Sequence, residues 1–249
     1  GEGGLVSAVA VILAAGKGTR MKSDRAKVLF PIAGRPLLLH VLDSVEAAGF
    51  DRVIAVVGHQ ADRVREVLEG RRVQTVLQEP QLGTGHAVMC AAPLLQGVTD
   101  PISVLAGDAP LIRPSTLRSM LEHHRQTGAA VTLLSAVLED PKGYGRVVRK
   151  DGRVIAIVED KDASPEEQAI REINSSIYAF DGPFLLRGLP RLKNENRQKE
   201  YYLTDLVHLA FAEGRRVEGL PVADPMEVAG VNTVEQLETA EKLLAERRP

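Results

Sequence analysis

Residues Val9 to Leu13 form an unbroken apolar run that gives way, within a few residues, to Gly16-Lys17-Gly18-Thr19-Arg20-Met21. A continuous apolar segment that ends at glycine suits a parallel strand covered on both faces. Gly16 and Gly18 permit positive φ and let backbone N–H groups come close to a ligand. Lys17 and Arg20 add two positive charges to the same turn. A strand running out into a glycine-rich, basic loop can hold polyphosphate, although a plain turn uses the same residues. A P-loop is excluded, because Gly-x-x-x-x-Gly-Lys-Ser/Thr does not occur. A dinucleotide site is a poor fit. Met21 stands where the third glycine belongs, and the second strand, Val53–Val57, ends in Gly58-His59-Gln60 rather than at a carboxylate.

Apolar strands alternate with amphipathic helices through the first half, which predicts a parallel sheet. Leu38, Val41, Leu42 and Val45 recur at helical spacing over 36–49, with Gly49 as the stop. Further strands are expected at 53–57, 73–77, 102–106 and 130–137, and helices at 61–68, from the 78–85 loop through 92, and at 114–127. In the second half Asp151-Gly152 joins Gly145–Lys150 to Arg153–Glu159, a strong hairpin signal. A strand at 173–180, helices near 183–189 and 203–213, a strand at 217–222 and a helix at about 233–247 follow. The expectation is one domain of 249 residues. Residues 5–137 form its nucleotide half, 138–232 a substrate half on the same sheet, and 233–249 a closing helix.

A net charge of −2 gives no electrostatic reason to expect nucleic acid or membrane. No apolar run is long enough to span a bilayer. The N-terminus carries no charged-then-apolar signal pattern, Gly1–Gly4 reads as a flexible leader, and a cytoplasmic protein is the default. The single cysteine, Cys90, cannot form an internal disulfide and reads as packing in an apolar helix.

Four further stretches carry chemistry. Gln78 lies just past a strand end and offers both a donor and an acceptor, as a pyrimidine edge does; alone, a loop glutamine is usually solvated. Asp108 in Leu105-Ala106-Gly107-Asp108 ends a central strand, where open α/β sheets bind ligands. Its carboxylate suits Mg²⁺, and a turn or helix cap is the other reading. Gly143-Tyr144-Gly145-Arg146, Glu159-Asp160-Lys161-Asp162 and Glu172-Ile173-Asn174 are polar and, by spacing alone, read as surface. Asn232 precedes the last helix and reads as its N-cap.

The order of these segments resembles the sugar-nucleotidyltransferase family. Its signature, Gly-x-Gly-Thr-Arg-Leu/Met followed by Pro-Lys-x-Leu, is matched by Gly16–Met21 and Lys27-Val28-Leu29. Gln78-x-x-x-Leu82-Gly83-Thr84-Gly85-His86-Ala87 is similar, nearly letter for letter, to the base-binding loop of bacterial N-acetylglucosamine-1-phosphate uridylyltransferases. The likeness runs from about Ala8 to Leu244. Ala26 stands where the family has proline, which implies a slightly looser loop. Ala106 stands where tyrosine is frequent, which removes an aromatic contact.

The resemblance implies a Rossmann-like α/β nucleotidyltransferase fold, with a mostly parallel central sheet and helices on both faces. It implies transfer of a uridylyl group from UTP to N-acetylglucosamine 1-phosphate. Arg20 and Lys27 would be catalytic. Leu13, Ala14, Ala15, Gly16, Gly18, Thr19, Gln78, Gly83, Thr84, Ala106 and Gly107 would bind nucleotide. Gly145, Glu159, Asn174, Tyr202 and Thr204 would hold the sugar, and Asp108 with Asn232 would hold Mg²⁺. His86 receives no role beyond packing at a helix start. Another sugar 1-phosphate, or a non-catalytic sugar-nucleotide sensor, are the rival readings. The family usually carries a second, left-handed β-helix acetyltransferase domain of hexapeptide repeats. Such repeats are absent from this sequence, so no acetyl transfer and a monomer or weak oligomer are expected.

Overall fold

The computed structural model describes residues 6–247, so the Gly1–Gly4 leader lies outside the described residues. In chain order the elements are β1 (Val6–Ala14), β2 (Pro31–Ile32), β3 (Arg35–Pro36), α1 (Leu37–Ala48), β4 (Phe50–Val57), α2 (Ala61–Val67), β5 (Gln74–Leu77), α3 (Thr84–Ala91), β6 (Ile102–Ala106), α4 (Pro114–Thr127), β7 (Val131–Val137). The second half adds β8 (Arg146–Lys150), β9 (Arg153–Val158), α5 (Pro165–Gln168), β10 (Glu172–Phe180), α6 (Gly182–Gly188), α7 (Asp205–Ala212), β11 (Val217–Pro221) and α8 (Val234–Glu246). Among the described residues, no helix is long and apolar enough to cross a membrane.

β1 is central. It pairs in parallel with β4 on one side and β6 on the other, and β5 extends the sheet beyond β4. Strand order is β11-β7-β10-β6-β1-β4-β5, with the β8–β9 hairpin attached at β10. The register aligns the carboxyl ends: Leu13 lies beside Val56 and Ala106, and Val57 beside Leu77. Ala15, Gly58, Gln78 and Gly107 therefore leave the sheet at one edge.

The two faces of β1 divide the core. Ala8, Ala10, Ile12 and Ala14 pack with α1, α2 and α4 residues such as Leu42, Val64 and Leu121. Val9 and Val11 pack with Val88 of α3, Phe184 of α6 and Leu206 of α7. This is the period-two alternation of a strand buried on both sides. Gly49, at φ 92°, closes α1 in the left-handed conformation.

The sheet is less uniformly parallel than the alternation implies. β10 runs antiparallel to both β6 and β7, which joins the two halves of the chain in one sheet. The short β2–β3 hairpin, α5 and several single helical turns were not anticipated, because segments of so few residues carry no period. Asp151 and Gly152 both have positive φ, as a tight hairpin turn demands.

His124 of α4 is 4% exposed, with Nδ1 2.8 Å from Thr132 Oγ1. Burial lowers its pKa from 6.5 to about 4, against a smaller upward pull from Asp181. Between those values the unfolded chain binds a proton that the folded chain does not. The stability contribution is whole above pH 6.5 and lost as pH falls toward 4, on the order of 3 kcal/mol in all. Urea midpoints measured from pH 7.5 to 4.5 should fall for the wild type and fall less steeply for His124→Leu. Parallel curves would show that His124 is not the linked group.

Candidate active site

The turn after β1 is held by backbone contacts rather than by left-handed glycines. Neither Gly16 nor Gly18 is among the residues with positive φ, contrary to the freedom invoked from sequence. Gly18 is buried, and a Cβ there would sit 3.2 Å from the Phe30 ring. Gly16 is exposed, and a Cβ there would meet nothing within 4 Å. A side chain at the second glycine would thus press on the Phe30 ring, whereas the first has open space beside it. Thr19–Met21 follows as a single 3₁₀ turn. Leu13 is half-buried, Ala14 and Ala15 are buried, and Arg20 is exposed.

Lys27 is delivered by the strap at 24–27. The Ala26 N–H donates to Gln60 Oε1 at 2.7 Å, and the Lys27 N–H to the Gly16 carbonyl at 3.4 Å. The alanine thereby gives the strap a tie to set against the looseness expected of it. A proline there has no N–H to give, whereas this alanine is fully buried and tied to the end of β4. The segment Gly58-His59-Gln60, which lacks the carboxylate of a dinucleotide site, instead anchors the strap. His59 Nε2 lies 2.6 Å from the Asp24 carbonyl oxygen.

Lys27 Nζ sits 2.5 Å from Asp108 Oδ2 and also donates to Asn232 Oδ1. Two side chains 124 positions apart thus meet at one ammonium. Thr233, not Asn232, caps α8: its hydroxyl accepts from the Gln236 N–H, and its own N–H donates to Gln236 Oε1 in return. That displaces the capping reading and leaves the Asn232 amide for Lys27. Gly230 closes the approach, since a Cβ there would be 3.2 Å from Asp108 Oδ1. Gly107 is required as well, because its Cβ would collide with the Leu13 carbonyl at 2.8 Å. Ala106 ends β6 beside Leu13.

A carboxylate and an amide oxygen drawn to one cation are hard donors that fit Mg²⁺, which needs few protein ligands when phosphate and water supply the rest. Among the described residues no cluster of three His, Cys, Asp or Glu side chains could form an all-protein cage. Lys17, Gly18, Arg20, Lys27, Gly143 and Asn232 line a basic cavity of about 210 Å³.

A second cavity of about 250 Å³ adjoins the same turn and includes Leu13, Ala15, Gly16, Gln78, Gly83 and Thr84. Gln78 is 5% exposed rather than solvated, and its Nε2 donates to the Gly83 carbonyl at 3.1 Å. Gln81 Nε2 donates to the Ala15 carbonyl at 2.6 Å, which fixes the loop to the end of β1. Gly83, at φ 106°, lies so close to 200–201 that a Cβ would be 2.8 Å from Tyr201 O. The Gly85 N–H donates to that carbonyl, and Thr84 Oγ1 accepts from the Leu203 N–H.

The five proposed sugar residues gather beyond this seam. Thr204 Oγ1 donates to Glu159 Oε1 at 3.1 Å, and a Cβ on Gly145 would lie 3.5 Å from both Glu159 oxygens. Burial pushes the Glu159 carboxyl up, with the Thr204 hydroxyl opposing. The Asn174 N–H donates to the Gly145 carbonyl, and its Nδ2 to Tyr178 Oη at 2.6 Å. Tyr202 and Thr204 are buried in the same wall.

Four participants went unassigned from sequence. Gln81 and Gln60 are loop residues with no local signal. Arg146, 2% exposed, bonds the Tyr144 carbonyl and pairs with Asp160 at 3.0 Å, which holds the hairpin beside Glu159. Tyr144 is pushed up by burial and by the Asp108 carboxylate, with Arg20 pulling the other way. Both lie in Gly143-Tyr144-Gly145-Arg146, the stretch that could have revealed them.

Residues 10–173 match the MobA-like NTP transferase domain family. The chain is similar to the bifunctional protein GlmU of Geobacter metallireducens, 52% identical over 96% of this chain and 50% of that protein. It is similar to the protein of the same name from Pelobacter propionicus, 51% identical over 96% of this chain and 52% of that one. The chain spans about half the length of the curated relatives it matches. A solved structure of a putative glucose-1-phosphate thymidylyltransferase from Bacillus anthracis shares the fold, with a TM-score of 0.78 and 18% identity, covering 98% of this chain and 97% of that one.

The contrast between Gly16 and Gly83 is testable. Gly83→Ala should lower unfolding free energy by about 1–3 kcal/mol, from positive φ and overpacking together. Gly16→Ala should change it by less than about 0.5 kcal/mol. Equal urea midpoints for the two variants would contradict the packing described.

Proposed function

Because the chain belongs to the MobA-like NTP transferase family, we propose that it transfers a uridylyl group from UTP to N-acetylglucosamine 1-phosphate, releasing pyrophosphate and UDP-N-acetylglucosamine. One observation carries this reading. The Gly16–Gly18 turn is shared between a basic cavity and the Gln78–Gly83 cavity, so a triphosphate and its base have adjoining places. The likeness to the bifunctional proteins GlmU, of which this chain spans about half, supports it.

The sugar phosphate is already anionic, so the reaction needs no general base. A phosphate oxygen attacks the α-phosphorus, a new P–O bond forms, and the bond to the β-phosphate breaks. Arg20 and Lys27 neutralise charge on the triphosphate as it shifts toward the leaving pyrophosphate. Gln78 and Gly83 hold the base, while Gly145, Glu159, Asn174, Tyr202 and Thr204 orient the sugar for in-line approach. Mg²⁺ would be held by Asp108 and Asn232 and would supply Lewis-acid charge neutralisation at the phosphates. In this reading the half to about residue 137 serves the nucleotide, the half to about 232 serves the sugar, and the protein works in the cytoplasm.

Pyrophosphate release, measured with each of four nucleoside triphosphates against several sugar 1-phosphates, should peak for UTP with N-acetylglucosamine 1-phosphate. Preference for glucose 1-phosphate would reassign the sugar. Nucleotide binding without release for any pair would make the chain a sensor. Asp108→Asn should lower turnover by roughly 100-fold or more, the scale of losing one well-placed electrostatic group, with the fold retained but the melting temperature lowered, because Lys27 loses its charged partner. Full activity of that variant at ordinary Mg²⁺ would remove Asp108 from the reaction.

A further inference from the structure

His86, at the first turn of α3, has a defined partner. Its Nδ1 lies 3.1 Å from Gln78 Nε2, and the same Nε2 lies 3.1 Å from the Gly83 carbonyl oxygen. A backbone carbonyl only accepts, so the Gln78 atom beside it is the amide nitrogen and not the oxygen. An amide nitrogen only donates, so His86 Nδ1 is the acceptor and its ring proton is on Nε2. Cys90 Sγ, 3.9 Å from Nε2, is a weak acceptor for that proton. Both N–H bonds of the Gln78 amide are thus occupied. Its carbonyl oxygen has no partner among the described residues, and Gln78 borders the cavity beside Gly83.

We propose that His86 is a positioning residue for base choice: it locks the Gln78 amide so that only its carbonyl oxygen meets the ligand. This rests on the uridylyl-transfer reading above. A fixed acceptor suits the N3–H of uracil. Cytosine presents a bare, accepting N3 of the same size and shape, which meets that oxygen lone pair to lone pair. Turning the Gln78 amide over to suit cytosine would set its oxygen against the Gly83 carbonyl and would require the His86 ring proton to move from Nε2, beside Cys90, to Nδ1. The Gly83 carbonyl opposes the flip outright and His86 opposes it through the cost of moving its ring proton, so removing His86 should weaken the discrimination without abolishing it.

The test is kcat/KM for UTP and for CTP, with N-acetylglucosamine 1-phosphate, in the wild type, His86→Leu and His86→Asn. In His86→Leu the UTP-to-CTP ratio should fall roughly five- to tenfold, the scale of one hydrogen bond, with the loss for UTP in KM more than in kcat. In His86→Asn, whose side-chain oxygen can replace Nδ1 as acceptor, the ratio should stay within about twofold of wild type, a conservative rescue of the acceptor. Should the leucine variant fail to fold, the ¹⁵N shifts of the His86 ring in the wild-type protein test the tautomer directly, with protonated Nε2 and bare Nδ1 expected. A proton on Nδ1, an unchanged ratio in His86→Leu, or equal losses in both variants would overturn the proposal. A wild type that uses no uridine nucleotide would instead bring down the uridylyl reading and base choice with it, an outcome distinct from UTP preference that survives loss of His86.

Discussion

Everything in this molecule hangs from one strand that is buried on both faces from Ala8 to Ile12. β1 presents alanines and isoleucine to the α1–α2–α4 layer and valines to the α3–α6–α7 layer, and it is paired on both edges. Small residues on the first face let α1 lie close to the sheet, and the packed layers leave the strand no freedom to shift register. The point at which it leaves the core is therefore fixed. So are the exits of β4, β5 and β6, aligned with it by register. Glycine is required at 107 because the chain there passes against the Leu13 carbonyl.

Charge then organises the rim. Lys27 and Asp108 are each less than one-fifth exposed as side chains, and each would be costly to leave unpaired. Their pairing, with the Asn232 oxygen as third partner, draws three distant segments to one place: the strap after β1, the end of β6, and the approach to α8. The backbone supports it, since the Val231 N–H donates to the Asp108 carbonyl at 2.8 Å. An ammonium shared by a carboxylate and an amide is a cationic centre already ordered before any phosphate arrives, which lowers the reorganisation that anionic substrates would demand.

The second half of the chain contributes a wall rather than a separate module. β10 is inserted antiparallel between β6 and β7, so the β8–β9 hairpin and Glu159 are carried on the same sheet as the glycine turn. Gly83 and Gly85 let the 82–85 loop touch 200–203 backbone to backbone. The two cavity walls are thereby built from one another, and displacement of either would disturb both.

Much of this was legible in order along the chain. Strand and helix spacing, the Gly49 stop, the Asp151-Gly152 turn and the exit of β1 into a basic glycine loop are all local properties, set by side-chain period and by which residues tolerate a given φ. Residue order also placed Gln78, Gly83, Asp108, Glu159 and Asn232 at element ends. What tertiary structure alone decided was which of these meet, and through which atoms. Ala26 is tied by its N–H to Gln60. Thr233 takes the cap and frees Asn232. Gln78 is buried against Gly83 and His86 instead of solvated. Lys27 reaches across the chain to Asp108 and Asn232. Each of those outcomes joins residues whose separation local periodicity does not register, and each depends on burial, which makes an unpartnered donor or charge costly and so selects its partner.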